Sequence, residues 1–246
     1  MPKFYNPYIG SIGRFFDGDP TLRGYWQLQG NSWDNSGNGS NGSDIAMVYN
    51  KSGFKDMMRS GKFNKTSSYI QLPKNSNTYL YNTWTIMAWS YVIDSSSSGI
   101  YQMGNAWLYQ NSGSFYNGSS NQVVLASSTI YTNRWVFSAY TVSNGADSRM
   151  YQFVVGGPQN IGISTTYGTN SDAYLYVGIG GFRSPRAGDG MIGYISEVAI
   201  FSRALSPSEI SQYYNWAISN PKRNTLIIDP SLLYNPAISR RRLLLK

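Results

Sequence analysis

Cysteine and histidine are both missing from this 246-residue chain. Without cysteine it has no disulfide, no thiolate metal site and no sulfur nucleophile. Without histidine, Ser-His-Asp chemistry, imidazole general bases and His-ligated zinc are excluded. Acidic residues are scarce: 12 Asp and Glu in all, of which only Glu197 and Glu209 are glutamates. Long apolar runs are absent too. No stretch approaches the length that spans a bilayer, and the opening MPKFYNPYIGSIGRFFDGDP scatters Pro, Asn and Gly where a secretory signal keeps an apolar core. The expectation is a chain without membrane insertion and without an ordinary secretion signal.

What remains is aromatic, polar and weakly charged. Hydrophobic residues are 41% of the chain and charged residues 13%, with 21 Tyr, seven Trp and 25 Gly. A chain of this length holds one large domain or two small ones. Tyrosine and tryptophan favour strands, and they also suit surfaces that meet sugars. The net charge of +8 is uneven. Residues 217–246 hold Lys222, Arg223, Arg240, Arg241, Arg242 and Lys246 against the single acid Asp229, so the body before them is nearly balanced.

Short segments of strand composition follow one another from LRGYWQLQG (22–30) to AYLYVGIGG (173–181), separated by turns of Ser, Asn and Gly. TWTIMAWSYVI (83–93) puts Trp84, Ile86, Ala88 and Ser90 on one side and Thr85, Met87, Trp89 and Tyr91 on the other. Entering GYISEVAIFSRALSPSEISQYYN (193–215) from the preceding Ile192, Ile192, Tyr194, Val198 and Ile200 fall on alternate positions, with Ile195, Ala199 and Phe201 opposite. Ser206-Pro207-Ser208-Glu209 then opens a helix: Ser206 caps it, Pro207 suits its first position and Glu209 reaches back to the Ser206 amide. Only residues 206–216 have helical spacing. Many short strands with regular turns predict a sandwich or jelly roll.

The order of these segments resembles that of LamG-like jelly-roll domains in the concanavalin A-like lectin/glucanase superfamily. RGYWQLQGNSWDNSGNGSNG is similar to their first strand and loop, FNKTSSYIQLP and TWTIMAWSYV to the strands that follow, and GYISEVAIFSRALSPSEISQYYN to their closing strand and short helix. The likeness spans about residues 22–216. It implies an all-β, two-sheet antiparallel jelly-roll sandwich with six or seven strands per sheet, one short C-terminal helix and an extended C-terminal arm. The expected organisation is a lead-in over 1–21, the domain over 22–216 and the arm over 217–246.

A glycosidase needs two carboxyl groups across the scissile bond. Glu197 has no acidic residue two positions away on either side, and Glu209 has a capping role, so the expectation is a protein that is not an enzyme. DNSGNG (34–39) mimics the start of an EF-hand loop, but the twelfth position is Ile45 and that reading fails. The resemblance implies a second arrangement, with calcium between this loop and the closing strand on Asp34, Asn38 and Glu197; the competing reading gives Asp34 a turn role. Family members commonly carry Asp before that glutamate, where this chain has Ser196.

In GNAWLYQNSGSFYNG (104–118), Trp107 and Tyr109 share a strand face, with Tyr116 close behind. They form either a platform for glycan stacking or part of the core. The segment 217–246 mixes apolar patches, prolines and Arg240–Arg242, which suits an arm that folds onto another subunit better than a nucleic-acid tail. Together these readings predict a non-enzymatic structural protein of a phage or virus particle. Its partners would be other virion proteins or copies of itself, and surface glycans. The alternative is a lectin module of a cellular surface or secreted protein.

Overall fold

The computed structural model describes residues 11–52, 59–64, 67–78, 82–94, 98–103, 106–111, 114–116, 129, 131–143, 147–164, 175–178 and 190–219. Among them are 14 strands and two helices. One sheet has eight strands. Its path runs β12 (Gln159–Ser164), β11 (Asp147–Val154), β10 (Trp135–Ser143), β6 (Trp84–Asp94), β14 (Ile192–Phe201), β4 (Arg59–Asn64) and β3 (Val48–Ser52), and β1 (Leu22–Trp26) also pairs with β14. The other has six, in the order β2 (Ser43–Ile45), β5 (Tyr69–Leu72), β13 (Leu175–Val177), β7 (Ser98–Met103), β8 (Ala106–Asn111) and β9 (Ser114–Tyr116). Neighbouring strands pair antiparallel, which makes the all-β two-sheet sandwich that the sequence predicts.

The alternation along β6 divides two cores. Trp84, Ile86 and Ala88 face the space between the sheets, with Trp26, Phe63, Ile70, Tyr101, Tyr140 and Val177. Met87 and Trp89 face the opposite way, into a second cluster beneath two helices. These are α1 (Ser11–Phe15) and α2 (Pro207–Ser219). The outer face of the larger sheet is therefore apolar because helices cover it, and central strands buried on both faces read as nearly continuous apolar runs.

Residues 11–21, which the sequence reads as a turn-rich lead-in, begin with α1. Ile12 and Phe16 are buried in the outer cluster, and Phe15 meets Tyr213 and Trp216 of α2 at ring distances of 5.6 Å. The helix escapes a periodicity reading because it is five residues long. At the other end α2 continues past Trp216: Ala217 is buried and Ile218 packs on the outer cluster. The arm residues Arg240, Arg241 and Arg242 lie outside the described residues.

One face assignment is corrected. Ile195 lies between the sheets with Val198 and Ile200, not with Ala199 and Phe201, and the Tyr194 ring meets that of Tyr91 at a tilt on the outer side. The cause is a β-bulge. Ser196 pairs with Trp89 and Ala199 with Met87, so Glu197 and Val198 together oppose Ala88. One extra residue inverts the parity of everything before it.

Candidate functional site

The residues joining β1 to β2 form a loop organised by Asp34. Its Oδ1 accepts the amides of Tyr25 (3.0 Å) and Ser36 (2.9 Å), and its Oδ2 accepts that of Ser40 (2.9 Å). Gly37 and Gly39 take φ of 89° and 73°, conformations that glycine enters without a Cβ penalty. Asn38 donates through Nδ2 to the carbonyls of Leu22 and Arg23, each at 3.1 Å. Trp26 donates its indole N–H to the Ser40 carbonyl at 2.8 Å. That ring lies back over Gly24, where a Cβ would sit 2.2 Å from it. Asn75 and Asn77 of the neighbouring turn bond to Ser40 and to the Asn38 carbonyl. The loop is thus fixed by its own polar groups to β1 and to the turn before β6.

Trp33 stands on this loop with 65% of its surface exposed. Its amide donates to Asn31 Oδ1 (3.0 Å), its carbonyl accepts from Asn35 Nδ2 (2.9 Å), and the next amide, of Asp34, donates to Asn41 Oδ1 (2.9 Å). Three carboxamides therefore surround the Trp33 backbone. Sequence reasoning missed this residue because it sought pairs of aromatics at strand spacing. A signal was present: Trp33 has no apolar residue two, three or four positions away on either side, so no element could bury it.

Glu197 lies far from solvent, with no exposed surface. Its Oε2 accepts the Ile12 amide at 2.9 Å, so a strand carboxylate caps the first turn of α1. The Tyr25 phenol is close by. Burial first, and then the Glu197 carboxylate, push that phenol well above the usual tyrosine range.

These residues do not fit the calcium site that the resemblance implies. Calcium takes six to eight oxygen ligands. The carboxylate of Asp34 is ringed by three N–H groups whose positive ends face it, Asn38 turns its nitrogen toward carbonyls, and Glu197 serves α1. No group of three or more acidic side chains forms among the described residues. Asp34 has the turn role.

Trp107 and Tyr109 lie on β8, and Tyr116 on β9, the last two strands at one edge of the six-stranded sheet. The backbone register sets Tyr109 opposite Tyr116 and Trp107 opposite Gln102. The backbone thus brings two of the three together.

Glu209 has the capping geometry that its spacing predicts. Its Oε2 accepts the Ser206 amide (2.8 Å), and its own amide donates to Ser206 Oγ (3.3 Å). Arg203 adds a second hold, donating from Nη1 and Nη2 to both carboxylate oxygens at 3.0 and 2.7 Å and from Nη2 to Asp19 at 2.7 Å. The Arg203 hydrogen bonds bring the Glu209 pKa down to about 2. Among the described residues no helix is long and apolar enough to cross a membrane.

The fold is shared with solved structures of low sequence identity. Domain 4 of AbnA, an extracellular arabinanase from Geobacillus stearothermophilus solved in complex with arabinotriose, is 19% identical with a TM-score of 0.53. That match covers 78% of this chain and 98% of that one. The binding domain of Paraclostridial Mosquitocidal Protein 1 is 16% identical with a TM-score of 0.61, over 81% of this chain and 53% of that one. The binding domain of botulinum neurotoxin DC, in complex with SialylT, is 15% identical with a TM-score of 0.56, over 81% and 52%. This chain thus spans about half the length of the toxin binding domains. No curated protein matches it. The Laminin_G_3 family model, described as concanavalin A-like lectin/glucanases superfamily, matches residues 64–211, more than half of the sequence, and the chain belongs to that family.

Proposed function

We propose that this chain is a non-enzymatic, glycan-binding jelly roll that serves as a structural component at the surface of a virus particle. The observation that carries the binding function is Trp33, an indole held out into solvent on a loop fixed by its own hydrogen bonds. An exposed aromatic plane beside carboxamides is the composition with which proteins meet sugar rings. One structural neighbour was solved in complex with arabinotriose and another in complex with SialylT.

The non-enzymatic reading rests on how both glutamates are used. Glu209 is held ionised by Arg203 and caps α2, so it has no proton to give at neutral pH. Glu197 is enclosed under α1, where no substrate reaches it. Incubation of the pure protein with arabinans, β-glucans and galactans should release no reducing ends. Hydrolysis abolished by Glu197→Gln would overturn this.

The virion reading rests on residues 220–246, the part of the sequence-predicted arm that follows α2. Their apolar clusters Leu226–Ile228 and Leu243–Leu245 and the run Arg240–Arg242 suit burial on another subunit, where arginines meet carboxylates in bidentate pairs. Its test is the protein content of purified particles, which should include this chain in fixed copy number. Recovery only with cell surfaces or secreted material would favour the cellular lectin.

A further inference from the structure

The geometry of the β1–β2 loop points to a binding site for a neutral sugar ring, with the Trp33 indole as its stacking floor and the Asn31, Asn35 and Asn41 carboxamides as its hydrogen-bonding rim. This inference rests on the glycan-binding reading and gives it a place and a ligand class.

Trp33 differs from the other tryptophans whose side chains are described. Trp26, Trp84 and Trp89 are fully buried, while Trp135 and Trp216 pack against the outer core. Trp33 alone among them remains largely in water. Its surroundings are already ordered, so a ligand need not bring the loop to order as it binds. The loop's internal bonds use Asn31 Oδ1, Asn35 Nδ2 and Asn41 Oδ1. Left over are the Nδ2 of Asn31, the Oδ1 of Asn35 and the Nδ2 of Asn41: donors and an acceptor on side chains bonded to the backbone that carries the indole. Neighbouring hydroxyls of a sugar both donate and accept, and its C–H face covers an indole.

Charge selects the class. Between residues 29 and 43 the single charged side chain is Asp34, and three amides enclose its carboxylate. The loop offers no Lys or Arg to pair with a sialic acid or a sulfated sugar. A neutral hexose or pentose chain is therefore the fitting ligand, and its binding should be nearly independent of salt.

The experiment uses the full chain on an array of neutral oligosaccharides (arabinan, glucan, galactan and mannan fragments) beside sialylated and sulfated ones. Melting temperature is measured for every variant. Neutral glycans should bind. Trp33→Ala should weaken that binding about tenfold or more, as loss of a central aromatic anchor does. Trp33→Phe should retain most of the affinity, and Asn35→Ala should lose part of it. All variants should melt within about 2 °C of the parent, because exposed substitutions cost little. Should Trp33→Ala melt lower than that, Trp33→Phe and Asn35→Ala carry the comparison. Glycan binding unaffected by all three substitutions would overturn this site and leave the glycan-binding function in place elsewhere on the molecule. Binding confined to sialylated or sulfated glycans would overturn the ligand class. No binding to any glycan, with Trp33→Ala instead dissociating a homodimer, would overturn both the site and the function.

Discussion

The backbone of Glu197 sits at φ 55°, a region that side chains other than glycine enter at a cost of roughly 1–2 kcal/mol. The residue sits where β14 changes partners along one edge, from β4, paired through Ile195, to β1, paired from Val198. The same backbone turn that breaks the ladder aims the carboxylate at the Ile12 amide. Three substitutions separate strain from hydrogen bonding. Glu197→Ala keeps the strain and leaves a buried N–H without its acceptor, so it should destabilise by about 1–3 kcal/mol. Glu197→Gly loses the same acceptor but relieves the backbone, and should recover about 1 kcal/mol of that. Glu197→Gln keeps an acceptor and should cost least. Urea denaturation of the three gives the order directly; equal losses in all would mean that the Ile12 contact contributes nothing. The sequence shows a lone glutamate in an apolar strand, but not its partner, which lies 185 positions earlier.

At the scale of elements, α2 is the part most legible in the sequence. Its cap, its proline at the first helical position and the reach of Glu209 follow from local spacing alone. Arg203 is the addition that no local pattern announces, because its second partner, Asp19, precedes β1. A pH dependence follows from this triad. Glu209 titrates at about 2 folded and near 4.5 when free, so its contribution is complete above 4.5 and is lost as pH falls toward 2. Burial raises the Asp19 pKa, but hydrogen bonds from Thr21 and Arg203 outweigh it and lower the net value, which adds a loss of the same sign. With about a third of the Glu209 side chain exposed, solvent screening reduces its share to roughly 1 kcal/mol. Stability measured from pH 6 to pH 2 should therefore fall below about 4.5, and Glu209→Gln should flatten the slope without abolishing it. An unchanged slope would place the acid sensitivity elsewhere. The faces of β6 were legible for the same reason as α2, since its period is unbroken. Those of β14 were not, since a bulge leaves the residue types unchanged while it inverts their direction.

For the whole molecule, the order of segments carries the two-sheet architecture, because each strand of the sandwich is short and bounded by its own turns. The loop was legible in part: the turn role of Asp34 is written in its Gly, Ser and Asn neighbours, whereas a single exposed indole follows no period. The extent of the packed body was the least legible, since both ends close on long-range contacts. This sets where a truncation should fall. Removal of residues 220–246 should leave the melting temperature within about 2 °C of the parent, and, on the proposed virion role, should abolish attachment to particles. A cut after Trp216 removes Ala217 and Ile218 from the outer core, and should lower it by about 3–6 °C. A large loss from the shorter deletion would show that the last 27 residues belong to the sandwich. α1 and α2, drawn from opposite ends of the described chain, touch through Phe15, Tyr213 and Trp216. Entry and exit are thus neighbours on one side of the larger sheet, which is the topology of an insertable cassette. Such a body could be spliced into a surface loop of a larger host protein, or its chain order rotated around the loop, with both sheets left intact.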